Sequence, residues 1–239
     1  MHAIPADLTA LTGIRFIAAF WVVLFHFREE ILRVAPKMSW LSSLLSHGHQ
    51  AVPFFFMLSG FILSHSYFPR YRAQSHFQFV VLRFARLWPV HLATILFLVA
   101  YKSAFAVARG HAVTETSYRL GALPAELGMV RCWFEKDLLW NFPAWSIHLE
   151  WFAYLFLFPI AAWLIRPATQ LRYLIAVAGV LIACQHLLPL ADFPGKCTDI
   201  VFLFLLGSIL YRIRTFLWFF GELRGSFYDI AGRRSSLPQ

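Results

Sequence analysis

The chain has 239 residues, of which 59% are hydrophobic, 18% aromatic and 14% charged, a balance too apolar for an ordinary soluble domain. Its formal charge of +9 is spread between apolar runs and forms no compact basic cluster interleaved with aromatics, which argues against a nucleic-acid surface. Three cysteines make neither a disulfide framework nor a paired metal-type spacing.

Apolar stretches at 10–28, 51–68, 78–101, 140–165, 171–190 and 199–220 each approach the roughly 20 residues that cross a hydrocarbon core about 30 Å thick. The short alternating segments of a membrane β-barrel are missing. The expected fold is an all-α, polytopic transmembrane bundle of about six spans, filling residues 1–220 and followed by a polar, basic tail at 221–239. The opening "MHAIPADLTA" lacks the basic region of a cleavable signal, so the first run is read as a retained helix. Arg70 and Arg72, Arg166 and Arg172, and Arg212 and Arg214 fall in connections that share one side with the N-terminus. The positive-inside rule makes that side the cytoplasm, with the protein in the inner membrane. Cys132 and Cys197 then lie outside, where a disulfide is permitted, and Cys184 lies within the fifth span; free thiols are the simpler expectation.

The first span, "LTGIRFIAAFWVVLFHF" at 11–27, carries Arg15 and His26. Eleven positions is close to three full turns, so the two share a face about 16 Å apart. Arg15 belongs near the cytoplasmic end and His26 near the outer end, where snorkelling and interfacial packing would also explain them. The outer loop at 29–50 ends in "SHGHQ"; His47 and His49 without acidic or cysteine company read as solvated residues ahead of metal ligands. In the second span Ser59-Gly60 permits close helix approach. In "LRFARLWPVH", Arg83 and Arg86 lie one turn apart at the cytoplasmic mouth of the third span. That pair suits a phosphate-bearing ligand or, equally, lipid headgroups. The segment 102–139, with mixed charge, is expected to form an interfacial helix. In "NFPAWSIHLEWFAYLFLFP", Glu150 sits about nine residues into the fourth span, too deep to snorkel, and is the ionisable residue hardest to explain as packing.

These stretches together resemble the acyltransferase-3 family of membrane proteins over roughly residues 8–212. The resemblance is carried by Arg15 and His26 with ten residues between them, by "FFxLSGF" at Phe55 to Phe61, by "RxxRxxP" at Arg83, Arg86 and Pro89, by "WSxxxE" at Trp145, Ser146 and Glu150, and by "FLLGSILYR" at 204–212. Departures are Pro53, where a small polar or acidic residue is usual, and His148 inside "WSxxxE", where a small residue is commoner. Family members have about ten spans, so the chain is expected to be a truncated or divergent member.

The resemblance implies transfer of an acyl group, most often acetyl, from acyl-CoA as co-substrate to a hydroxyl of an extracytoplasmic glycan or lipid-linked sugar, within the lipid bilayer and without nucleic acid, resident cofactor or metal. It assigns His26 and Glu150 to catalysis and Arg15, Arg83 and Arg86 to the donor. Ser59, Trp145 and Ser146 are assigned to substrate contacts. An imidazole is suited to take the proton of the attacking alcohol, with Glu150 orienting the ring or balancing its charge. A proton-coupled transporter or flippase would use the same ionisable groups as a relay, and an inactive fragment would only pack them.

Overall fold

The computed structural model describes residues 9–71, 75–109, 120–134, 140–187 and 198–218. Among these every regular element is helical, as uninterrupted runs of Leu, Ile, Phe and Ala with internally bonded backbones require in lipid. The chain enters α1 (Thr9–His26), turns through α2 (Arg28–Val34) and α3 (Ser42–Ser46), and crosses back in α4 (Ala51–Tyr71). It returns through the long α5 (His76–Arg109), which accommodates Pro89 without ending. After the short α6 (Leu123–Leu127) come α7 (Trp145–Phe152), a π-helical turn at Ala153–Leu157 and α8 (Phe158–Leu164). These three form one continuous rod. Then follow α9 (Leu171–Leu187) and a final α10 (Thr198–Trp218).

The stretches Ser39–Phe68, His76–Arg109, Phe142–Leu164 and Thr198–Trp218 are long and apolar enough to cross a membrane, whereas Gly13–His26 and Leu171–Cys184 are shorter apolar helices. Among the described residues the bundle thus has four full-length spans and two shorter apolar helices, one for each of the six expected runs. The first and fifth runs are helical as expected, but 18 residues in α1 and 17 in α9 reach only about 27 and 25 Å. Cys197, Arg72 and the tail at 221–239 lie outside the described residues.

The core gathers where α4, α5, the π-helical rod and α10 meet, around fully buried Phe79, Ala153, Phe158, Ala161 and Phe204. Phe79 and Phe158 stack with centroids 4.5 Å apart. Helices α4 and α10 touch through their backbones: Gly60 lies under the Phe204 carbonyl and Gly207 under the Met57 carbonyl, leaving no room for a Cβ at either. Ser208 Oγ adds a hydrogen bond to the Gly60 carbonyl at 3.2 Å. Small residues with a hydroxyl across the seam are how helices associate in lipid, where apolar burial gives no advantage.

The segment 102–139, expected to form an interfacial helix, is different: residues 102–109 continue α5. Residues 120–134 form a five-residue helix flanked by 3-10 turns, and they are sunk against α5, with Glu126, Met129, Arg131 and Cys132 all buried. Trp88 Nε1 donates to the Leu127 carbonyl at 3.1 Å, and Met129 takes a left-handed φ of 56° to turn the chain. Irregular backbone at this depth is permitted because protein, not lipid, surrounds it.

Candidate active site

Two cavities lie along the bundle. The first, about 250 Å³, is walled by Ala19 and Val22 of α1, Val52, Phe55 and Phe56 of α4, and Ser146 of α7. The second, about 430 Å³, is walled by Ser66 and Tyr67 of α4, Arg83 and Arg86 of α5, and Tyr154 of the π-helical turn. Arg15, Ser59 and Glu150 line both. On every helix the lining residues run in one direction from the first cavity to the second: Val22 to Arg15, Val52 to Tyr67, Ser146 to Tyr154. The two are therefore stacked along the helix axes and meet at a waist of one guanidinium, one hydroxyl and one carboxyl.

Helix periodicity explains how α1 reaches this waist. Arg15, Ala19 and Val22 occupy one stripe, while Phe16, Ile17, Phe20, Val23 and Phe27 are exposed on another, which fits a lipid-facing surface. His26 continues the lining stripe one turn beyond Val22. It is exposed, its ring lies 5.3 Å from that of Phe25, and it does not line either cavity. His26 and Glu150 are not hydrogen-bonded to each other. Glu150 Oε1 instead accepts a short hydrogen bond from the Tyr154 hydroxyl.

The two arginines of α5 differ sharply. Arg83 is 6% exposed, and its Cζ lies 4.2 Å from the Tyr67 ring centroid, 5.4 Å from Tyr154 and 5.6 Å from Phe79. Its Nε has no hydrogen-bond partner. Three aromatic faces hold this guanidinium in place through cation–π attraction. Arg86, one turn later, is exposed at the rim. With Arg15, the second cavity presents three guanidinia against one carboxyl and is built for an anion. The first is mainly apolar.

Of the residues assigned from sequence, the fold brings Arg15, Ser59, Arg83, Arg86, Ser146 and Glu150 to the cavities and carries His26 on the same stripe of α1. Trp145 stands behind the wall, packed with Phe56, Cys132 and Leu149, and its carbonyl accepts from Cys132 Sγ at 3.7 Å. His47 and His49 are engaged locally, by the carbonyls of Ser43 at 2.6 Å and Ser46 at 2.8 Å.

Sequence reasoning did not reach Tyr154, one helical turn after Glu150, nor the cage around Arg83. It also passed over a buried cluster outside the cavities, formed by His91, Glu126, Arg131 and His148. Burial pushes the Glu126 carboxyl up, but the His148 ring 3.3 Å away, the hydrogen bond from the Trp140 N–H and the nearby Arg131 charge outweigh it and hold the group below the usual carboxylate range. A histidine and a glutamate inside otherwise apolar runs were the available signal.

The acyltransferase-3 family, described as an acyltransferase domain, matches residues 8–224. Acyltransferase MdmB of Streptomyces mycarofaciens is 31% identical over 181 residues, covering 72% of this chain and 44% of that protein. Protein 2 in picA locus of Rhizobium radiobacter is 33% identical over 99 residues, covering 41% of this chain and 47% of that protein. The matched region thus spans less than half the length of either curated relative. No solved structure matches. With the family's pattern running from the Arg15–His26 stripe through the Ser59 and Glu150 waist to α10, the chain belongs to the acyltransferase-3 family of membrane proteins.

Proposed function

We propose that the protein moves an acyl group, acetyl in the simplest case, from acyl-CoA to a hydroxyl of an extracytoplasmic glycan or related acceptor. The observation that carries this reading is the stacked pair of cavities sharing Arg15, Ser59 and Glu150. The guanidinium-rich cavity suits the phosphates of a cytoplasmic CoA, and the mainly apolar one suits the acyl group and the arriving acceptor. The waist gives the thioester a polar passage between them.

In this reading Arg83, fixed by its aromatic cage, and the freer Arg86 hold donor phosphates by charge-assisted bonds, and Arg15 draws the thioester end to the waist. The acceptor oxygen attacks the thioester carbonyl, its O–H proton passes to His26, and the carbon–sulfur bond breaks. The proton then goes to the departing thiolate, so that CoA leaves as the thiol and the ester is complete. Glu150, anchored by Tyr154, supplies negative charge that offsets the imidazolium in a medium of low dielectric. Ser59 and Ser146 offer hydroxyls to the developing oxyanion or to the acceptor.

The test is incubation of membranes containing the protein with radiolabelled acetyl-CoA. Label appearing in glycan or lipid-linked sugar, and lost in His26→Ala, supports the transfer; movement of acceptor across the bilayer without label favours transport. Orientation is read in parallel with an impermeant thiol reagent on intact cells. A cysteine placed at 47 is expected to react and one placed at 71 to be spared; the reverse inverts the topology.

A further inference from the structure

The cluster formed by His91, Glu126, Arg131 and His148 lies outside both cavities, and all four side chains are buried. Glu126 Oε1 accepts the Trp140 N–H at 2.8 Å and faces Arg131 Nη1 at 3.4 Å. Its Oε2 lies 3.3 Å from His148 Nε2. His148 Nδ1 accepts the Cys132 N–H at 3.4 Å, which leaves the ring hydrogen on Nε2; Nε2 and Glu126 Oε2 are close, but neither makes a hydrogen bond among the described residues. His91 Nε2 donates to the Glu126 carbonyl at 2.8 Å, and its ring meets that of His148 edge to face at 5.4 Å. Trp133 Nε1 adds a bond to the His148 carbonyl at 2.9 Å.

His148, Glu126 and His91 bring ligand-type atoms within 4.8 Å of one another, so a metal centre has to be weighed. Two features oppose it. The His148 nitrogen that would face the metal carries the hydrogen, because the other accepts from Cys132. Arg131 already places a cation beside the carboxylate, 3.4 Å from its Oε1, where a metal ligand would be expected to face the ion.

The alternative follows from helix geometry. His148 is two residues from Ser146 and two from Glu150, so it points about 160° around the helix from each of them. Whatever holds His148 on the back of α7 sets the roll of the helix and hence the aim of the front. We propose that Glu126 and His148, backed by Arg131 and His91, form a buried clamp that positions the cavity wall bearing Ser146 and Glu150. These are positioning residues, and the inference rests on the acyl-transfer reading above. A roll of about 20° moves a side chain about 3 Å from the axis by roughly 1 Å, a displacement that at a reacting centre costs on the order of a hundredfold in rate.

The experiment uses the full chain in lipid nanodiscs, with radiolabelled acetyl-CoA and membrane glycan as acceptor. Glu126→Gln presents an amide to a ring N–H and breaks the clamp at nearly constant volume, whereas His148→Gln keeps a donor near the Nε2 position. Glu126→Gln is expected to lower kcat by about tenfold or more with the acetyl-CoA dissociation constant changed by less than about twofold, and His148→Gln to recover much of the rate lost in His148→Ala. A readout independent of activity is thiol labelling of Ser146→Cys: its rate should change when Glu126→Gln is added, and that of Ser66→Cys in the other cavity should not.

Wild-type kcat and unchanged labelling at 146 in a folded Glu126→Gln protein overturn the clamp. So does a loss of rate matched by an equal loss of folded protein and of acetyl-CoA binding, which is what a purely structural role gives. Activity removed by a chelator and restored by zinc overturns it in favour of a metal centre. If the wild type transfers no label, the acyl-transfer reading fails by itself, and the labelling rates still report whether the clamp sets the wall.

Discussion

Tyr154 donates its hydroxyl hydrogen to Glu150 one helical turn away, so the carboxyl shared by both cavities is anchored by the same rod that carries it. The ring that makes this bond is also one of the three that cage Arg83. One tyrosine thus links the waist to the anion-binding wall.

Tyr154→Phe keeps the ring against Arg83 and removes the bond to Glu150. A hydrogen bond to a charged group is worth about 1.5–3 kcal/mol of stability, so the variant is expected to melt earlier, and the transfer rate to fall about tenfold or more as Glu150 loses its anchor. Initial rates with labelled acetyl-CoA check this; a wild-type rate would make the bond structural only.

The two arginines of α5 should separate in their effects. Arg86→Ala is expected to weaken acetyl-CoA binding and leave the melting temperature unchanged, because the side chain is exposed at the rim. Arg83→Ala should weaken binding and also destabilise the protein, since it empties the space among Tyr67, Phe79 and Tyr154. Lysine should rescue position 86 better than position 83, where the flat guanidinium stacks on rings. Equilibrium binding and melting curves in nanodiscs distinguish the two.

His26→Ala is expected to abolish transfer without harming insertion or folding, because the ring is exposed and has no hydrogen-bond partner among the described residues. Glu150→Gln should lower the rate less, since it touches His26 only through the field across the cavity. Near-wild-type transfer by His26→Ala would remove the general-base assignment.

Gly60→Ala should force α4 away from α10, because the added methyl meets the Phe204 backbone. Overpacking of this kind costs about 1–3 kcal/mol. Gly179→Ala, with nothing within 4 Å of its added Cβ, is the neutral control. Thermal melts of the two variants check the difference.

The Glu126 carboxyl is held below its ordinary range in the folded protein, so it contributes stability that is complete above the unfolded value of about 4.3 and is lost as pH falls through the lower folded value. Melting temperature should therefore drop on acidification below that range. Glu126→Gln should be less stable at neutral pH and show a shallower drop; an identical acid profile in both proteins would exclude Glu126 as the source.

The amino-acid sequence by itself determined where helices form and which residues bear chemistry, because both are local properties. An apolar run in lipid has no option but to satisfy its own backbone, and a 3.6-residue period places Arg15, Val22 and His26 on one stripe whatever surrounds them. The tertiary structure alone decided which of those residues meet. Arg83 draws its cage from α4, from its own helix and from the π-helical turn, and Glu126 finds His148 across a connecting segment whose charge pattern read as interfacial. Such encounters depend on how helices approach and roll, and in a bilayer those are set by backbone contacts such as Gly60 against Phe204 and Gly207 against Met57. Hydropathy carries no record of them, since lipid solvates one apolar face as well as another.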